Sequence, residues 1–325
     1  MKMTTPPIPI KKNIVSAIKN IFRYVLPYRI YFGLFESYSI FCELDFQIKK
    51  LATNNRRLAE RFIPREFPEV GYASATRPLT AHELSIYSQN GEDGILLYLF
   101  SRIGTTDRRF VEFGVQDGTE CNTANLSINH GWSGLLIDGD EDNVKNGSSF
   151  YSMYLGNDRN KIRFVCKFVT AENINEIISA SGITGEIDIL SIDIDGVDYW
   201  VWKQIDCVSP RVVVIEYNAS LGVDASVTIP YDPKFVWNST SYPHLFFTGA
   251  SLRALTTLGA SKGYRLVGCD SQGVNAFFVR NDVAPDAVPA LTVEEAYFPH
   301  ALRTLRYGLD GQRAAVARLC FETVS

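Results

Sequence analysis

The chain has no paired cysteines, no long uncharged apolar run and no excess of basic charge, and each absence removes a class of function. Its six cysteines, Cys42, Cys121, Cys166, Cys207, Cys269 and Cys320, never form CxxC and have no histidine-rich neighbourhood. Neither a zinc ribbon nor a disulfide framework is expected, and the thiols read as reduced and mostly buried. The longest apolar stretch near the amino end, 24–41, is interrupted by Pro27, Arg29 and Glu36, and no small-residue cleavage site follows it. A spanning helix or signal peptide is therefore not expected. Net charge is −4 over 325 residues, so no global positive field draws nucleic acid. With no low-complexity tract or internal repeat, and with 46% hydrophobic residues, the chain is expected to be a globular cytoplasmic protein with a sizeable core.

What charge there is lies unevenly. Residues 1–34 hold Lys2, Lys11, Lys12, Lys19, Arg23 and Arg29 and no acid, so the remainder of the chain sums to −10. Ile14, Ile18, Ile21, Phe22 and Val25 recur at helical spacing opposite Lys12, Lys19 and Arg23, which makes an amphipathic basic helix that Pro27 breaks. Two roles fit it: peripheral contact with anionic lipid at the inner membrane face, or packing on this chain or a second copy. A second helical stretch is predicted over 35–61 and a linker over 65–80, so 1–80 is read as a helical extension.

From residue 81 short apolar runs alternate with helical stretches. Strands are predicted at 110–113, 134–137, 162–165, 187–192, 212–215, 265–268 and 276–279. Helices are predicted at 93–103, 121–129, 142–154, 171–180, 197–205 and 251–262. Runs such as Val212, Val213, Val214 and Ile215 are apolar on both faces, as strands covered on both sides must be. The expected fold is α/β, a Rossmann-like, doubly wound, mainly parallel seven-stranded sheet over 81–284. A helical tail over 285–325, with helices at 293–305 and 312–321, follows it.

In such a sheet ligands bind beyond the carboxyl ends of the strands. Those ends are acidic here: Glu112, then Asp138 and Asp140, then Asp193 and Asp195, then Glu216. The first turn runs Glu112, Phe113, Gly114, Val115, Gln116, Asp117, Gly118, Thr119. Gly114 permits the sharp turn and Gly118 lets the next helix start against a ligand. A dinucleotide fingerprint needs glycine at 116 and 119, where Gln116 and Thr119 stand, so pyrophosphate is disfavoured. Carboxylates around a glycine turn repel phosphate and welcome a cationic nucleoside.

On these residues the chain resembles the class I methyltransferases that use S-adenosylmethionine. The resemblance implies that Glu112 contacts the amino-acid part of that cofactor, that Gly114 and Gly118 wrap it, and that Asp138 takes the ribose hydroxyls, with Asp140 a nearby competitor. It sharpens toward the FkbM-like branch on three motifs: Tyr87, Ser88, Gln89, Asn90, Gly91, Glu92, Asp93; Ser191, Ile192, Asp193, Ile194, Asp195, Gly196; and Gly273, Val274, Asn275, Ala276, Phe277, Phe278, Val279. Glu112 and Asp138 exchange acid for acid relative to the commonest form of that branch. The branch implies methylation of an oxygen in a polysaccharide or natural product. It also suggests that Gln89 closes over the cofactor and that Asn275 is a site residue, although bare chemistry allows Asn275 to brace a strand.

Asp193 and Asp195 share a parity, so an extended strand would send both carboxylates to one side. One of them facing the sulfonium or serving as base is the first expectation, and His244 is the second candidate base. Mg²⁺ held by Asp195, Glu216 and Asn218 is another, since these are oxygen ligands of the kind that ion prefers. Their placement resembles that of metal ligands in catechol-type and macrolide-sugar O-methyltransferases. The third is structural: Asp195 with Gly196 forms a turn, and an Asp caps the helix that follows. Tyr217, just before the long 218–248 connection, and Tyr231, Trp237 and Tyr242 within it suit stacking on a sugar ring, or plugging a sheet edge. Two rival functions are kept open: a nicotinamide-dependent oxidoreductase on a similar sheet, and a non-catalytic nucleotide-binding module tethered by the basic helix.

Overall fold

A computed structural model describes residues 78–325. The basic helix, the helical stretch over 35–61 and most of the linker expected within 1–80 lie outside the described residues.

Among the described residues the main sheet has seven strands: β1 Arg109–Phe113, β2 Ser133–Asp138, β3 Ile162–Cys166, β4 Gly185–Ile192, β5 Val208–Glu216, β7 Tyr264–Cys269 and β8 Asn275–Arg280. Their order is β3-β2-β1-β4-β5-β8-β7. The first four pairings are parallel, whereas β8 runs antiparallel between β5 and β7. Helix α1 Glu92–Ile103 precedes β1, and α2 Ala124–His130, α3 Glu141–Leu155, α4 Ile174–Ala180, α5 Asp198–Gln204 and α6 Leu252–Ser261 lie in the connections between strands. This is the Rossmann-like, mainly parallel architecture expected.

The apolar runs are apolar because both faces are covered. Val212, Val213, Val214 and Ile215 are fully buried, as are Ile189, Leu190 and Ile192 beside them. Fully burying each such side chain stabilises by roughly 1.5–3 kcal/mol. Trp202 on α5 meets Phe278 of β8 at 5.1 Å between ring centroids, closing that face of the sheet.

Parallel pairing carries a consequence for function. Phe113 pairs with Ile137 and with Ile192, and Ile192 pairs with Ile215, so the carboxyl ends of β1, β2, β4 and β5 lie along one edge. Antiparallel β8 begins where β5 ends, which sets Asn275 opposite Glu216 on the same edge.

The tail differs from expectation. The helix predicted over 293–305 is cut into α7 Val293–Ala296 and the start of α8 Ala301–Val316, with Pro299 between them. A proline has no amide to continue the ladder and clashes with a preceding turn. Gly308, at φ 64 and ψ 168, breaks α8 in its middle. Where a last helix was expected over 312–321, α8 ends at Val316, and β9 Glu322–Thr323 pairs antiparallel with β6 Val227–Thr228 in the long connection after β5. Residues beyond 284 are also stitched to the sheet: Leu291 N donates to Leu266 O, and Ala301 N donates to Gln272 O, both at 2.9 Å.

Candidate functional site

Two adjoining cavities open at the acidic edge. One, of about 650 Å³, lies over β1, β4, β5 and the start of β8. The other, of about 380 Å³, lies over β2 and the segment after β3. They share Gly114, Gln116, Asp193, Asp195 and Trp237, so they form one cleft.

Gly114 makes its floor. At φ 78 it is in the left-handed region, and a Cβ there would sit 1.4 Å from the carbonyl oxygen of Asp193. No side chain fits between the tips of β1 and β4. At Gly118, φ 69, a Cβ would press on the rings of Tyr151 and Phe164 at 3.1–3.3 Å.

Glu112 is 4% exposed and its four acceptor positions are taken. Oε1 accepts from Asn122 N and Ser191 Oγ; Oε2 accepts from Thr123 N and Thr123 Oγ1. Burial raises its pKa and these donors oppose the rise. Direct contact with a cofactor was expected of Glu112. It lines the larger cavity and at the same time braces the loop between β1 and α2, because a carboxylate this deep must first satisfy itself.

The 87–93 motif is a brace of the same kind. Asp93 Oδ2 accepts from Ile86 N, Tyr87 N and Ser88 N at 2.6–2.9 Å, while burial pushes its pKa up to about 6. Glu92 takes Asn90 N and, at 2.8 Å, Asn275 Nδ2. Gln89 is exposed, lines the larger cavity and donates to Glu120 Oε2 at 3.0 Å.

On the other side of the cleft Asp138 ends β2. Its Oδ2 accepts from Gln116 N at 2.7 Å, and its Oδ1 accepts from Asp140 N and Asn143 Nδ2 at 2.9 and 3.1 Å. Oδ1 is filled and Oδ2 keeps one lone pair, so the carboxylate has room for one further donor where two were expected. Asp140 is the helix cap, accepting from Asn143 N.

The tips of β4 and β5 are different. Ligand oxygens of Asp193, Asp195 and Glu216 all lie within 4.8 Å of one another. They do not meet through strand parity: β4 ends at Ile192, and Asp195 stands in the left-handed region at φ 56. The turn is held by Asp198, whose two oxygens accept from Ile194 N and Gly196 N at 2.8 Å each. The turn-bracing role considered for Asp195 therefore belongs to Asp198, and the helix that follows has Val197 at its N-cap with no side-chain cap bond. Burial, then the neighbouring carboxylates, raise the pKa of Asp193, and burial raises that of Asp195 against the pull of Arg303. Burial and Asp195 push Glu216 up to about 8. Three crowded carboxyls cannot all stay ionised without compensation, so the trio holds a proton at neutral pH.

Asn218 does not join them. Its Nδ2 donates to Phe246 O and Thr248 O, and its Oδ1 accepts from Ser220 N and Arg303 Nη1, both at 3.1 Å. The ligand set expected for Mg²⁺, Asp195 with Glu216 and Asn218, does not fit an ion, since the amide oxygen is spent.

His244 is a second correction. It opens a short turn, is exposed, and lines neither cavity. Buried Phe246, two residues on, anchors that turn and leaves His244 at the surface.

Two residues absent from the sequence expectations replace it. His300 and Arg303, at the start of α8, line the larger cavity. Burial, with Arg303 beside it, lowers His300 to about 4, so it is neutral. Its Nδ1 accepts from Arg303 N at 3.5 Å, which leaves the ring proton on Nε2. No local signal marks either residue, because the tail reaches the site only through tertiary folding. Asn275, suspected from its motif, is 4% exposed, lines the cavity and has no partner for Oδ1.

No family model matches the chain, and no curated protein matches it. Solved structures similar to it include an O-methyltransferase from Bacillus cereus in complex with S-adenosylhomocysteine, at 16% identity over 62% of this chain and 82% of that one, TM-score 0.39. The O-methyltransferase TomG from Streptomyces achromogenes with S-adenosylmethionine is similar at 15% identity over 65% and 92%, TM-score 0.37. The glycopeptide N-methyltransferase MtfA with the same compound is similar at 10% identity over 63% and 100%, TM-score 0.37.

Proposed function

We propose that the chain is an S-adenosylmethionine-dependent methyltransferase acting on an oxygen, a sugar hydroxyl of a polysaccharide or related glycan. One observation carries this: a single cleft, floored by a glycine that admits no side chain, has a ribose-competent carboxylate on one side and a proton-accepting carboxyl trio on the other. The residues fit the donor. Asp138 offers its free lone pair to a ribose hydroxyl, Phe168 and Val169 line the cavity beyond it, and the acidic wall suits a sulfonium. Gln116, at φ 50, turns its amide to Asp138, so the N–H that a pyrophosphate would need is spent on a carboxylate. That disfavours a nicotinamide dinucleotide in the same place.

When bound, S-adenosylmethionine supplies an electrophilic methyl group. The chain supplies alignment and a place for the proton. Gly114 keeps the cleft open between β1 and β4. A carboxylate of the trio accepts the proton that the acceptor hydroxyl loses as its oxygen gains carbon. Arg303, hydrogen-bonded to Asn218 Oδ1, turns positive charge on Asp195 and Glu216. Trp237, fixed by its Nε1 bond to Leu245 O at 3.1 Å, presents an aromatic wall common to both cavities on which a sugar ring can stack.

Methyl-labelled S-adenosylmethionine incubated with the protein and surface glycans of its source cell tests this. Alkali-stable label in the sugar fraction is the expected result. Label confined to base-labile esters, or bound dinucleotide in place of S-adenosylhomocysteine, would refute it.

A further inference from the structure

Among the described residues, the larger cavity is lined by seven carboxylate side chains and, with His300 neutral, one positive group, the guanidinium of Arg303. Arg303 is 8% exposed and reaches the site from α8, more than 80 residues after the strand whose tip it serves. It lies 5.9 Å over the ring of Phe246, and its Nη1 donates to Asn218 Oδ1 at 3.1 Å. Its charge opposes the upward drift of Asp195 and Glu216. The Asn218 amide cannot turn away. Rotating it would set its NH₂ against the guanidinium and its oxygen against the carbonyls of Phe246 and Thr248. A divalent ion between β4 and β5 needs positive charge balanced by two carboxylates and anchored on a neutral oxygen. Here a covalently attached cation sits on the neutral oxygen of Asn218 and lines the same cavity as Asp195 and Glu216, on both of which its charge acts.

We infer that Arg303 takes the place of a divalent ion, so that the site works without metal and depends on the C-terminal helix for its positive charge. Arg303 is thus a positioning residue: it acts on Asp195, Glu216 and Asn218. Its part in catalysis rests on the methyl-transfer proposal, but its test does not, because it reads metal uptake.

The test is titration of the full-length protein with Mn²⁺, followed by electron paramagnetic resonance. Wild type is expected to show no stoichiometric uptake. R303M is expected to gain one site per chain, with affinity raised roughly tenfold or more, and R303M/E216Q to lose it again. R303Q, which keeps a donor for Asn218, substitutes if R303M does not melt cooperatively. Stoichiometric uptake by wild type that disappears in D195N would overturn the inference, since the trio would then be a metal site with Arg303 a bystander. Cooperatively folding R303M and R303Q that both fail to gain Mn²⁺ would overturn it equally.

Discussion

The carboxylates at the tips of β1 and β2 and those at the tips of β4 and β5 look alike in composition and behave differently. Glu112 and Asp138 meet backbone amides and hydroxyls that were arranged to receive them. Asp193, Asp195 and Glu216 meet one another, with the charge of Arg303 acting on Asp195 and Glu216. Glu112 spends all its acceptor positions on a loop and Ser191, and Asp138 keeps one lone pair free; in the proposed reaction the second set is the one with charge and proton available for chemistry. The lesson is that the number of N–H groups aimed at a buried acid, rather than its place at a strand end, separates brace from reagent.

Substitutions break this contrast most sharply at the trio. Glu216→Gln and Asp193→Asn are expected to lower turnover by about 10²–10⁴-fold, the span of a lost general base, with melting temperature unchanged or raised. A loss of stability with turnover preserved would put these residues among the braces. At the other tip, Glu112→Ala strands Asn122 N, Thr123 N and two hydroxyls in the core. It is expected to cost about 2–4 kcal/mol in chemical denaturation, from unsatisfied donors and a cavity.

Titration sharpens the contrast next. Folded pKa values above the unfolded ones, about 8 for Glu216, about 7 for Asp270 and about 6 for Asp198, mean that the folded chain binds more protons than the unfolded chain in this range. Their stability contribution is complete below the model-peptide values of 3.8 and 4.5 and is lost as pH rises through 6 to 8. Melting temperature from these groups is expected to fall between pH 5 and pH 8, while turnover climbs as the trio gives up its proton. A melting temperature that rises across this interval would contradict the assignment. The smallest effect belongs to His244→Ala: turnover and cofactor affinity are expected within twofold of wild type, and a large loss would return His244 to the site.

Much of this was legible from the chain alone. All seven strands of the main sheet were placed, because both-face apolar runs such as 212–215 have few other uses. The acidic tips and the glycine turn followed from the same ordering. Three things were not legible. Asp195 turns into a left-handed conformation, so alternation along a strand could not foretell its position. That the Glu112 carboxylate is filled shows only when the amides and hydroxyls around it are counted. His300 and Arg303 lie in a tail whose helix boundaries Pro299 and Gly308 rearrange, and only the packed fold brings them to β5. Local patterns report periodicity and turn chemistry; they do not report which distant side chain neutralises a buried charge.

Calorimetric titration of the purified full-length chain with S-adenosylhomocysteine tests the central claim most directly, with Asp138→Ala as its partner. One site per chain is expected, weakened about ten- to a hundredfold in the variant by loss of a charge-assisted hydrogen bond. Absence of binding in the wild type, or binding that Asp138→Ala leaves untouched, would contradict a nucleoside donor seated between the glycine turn and β2.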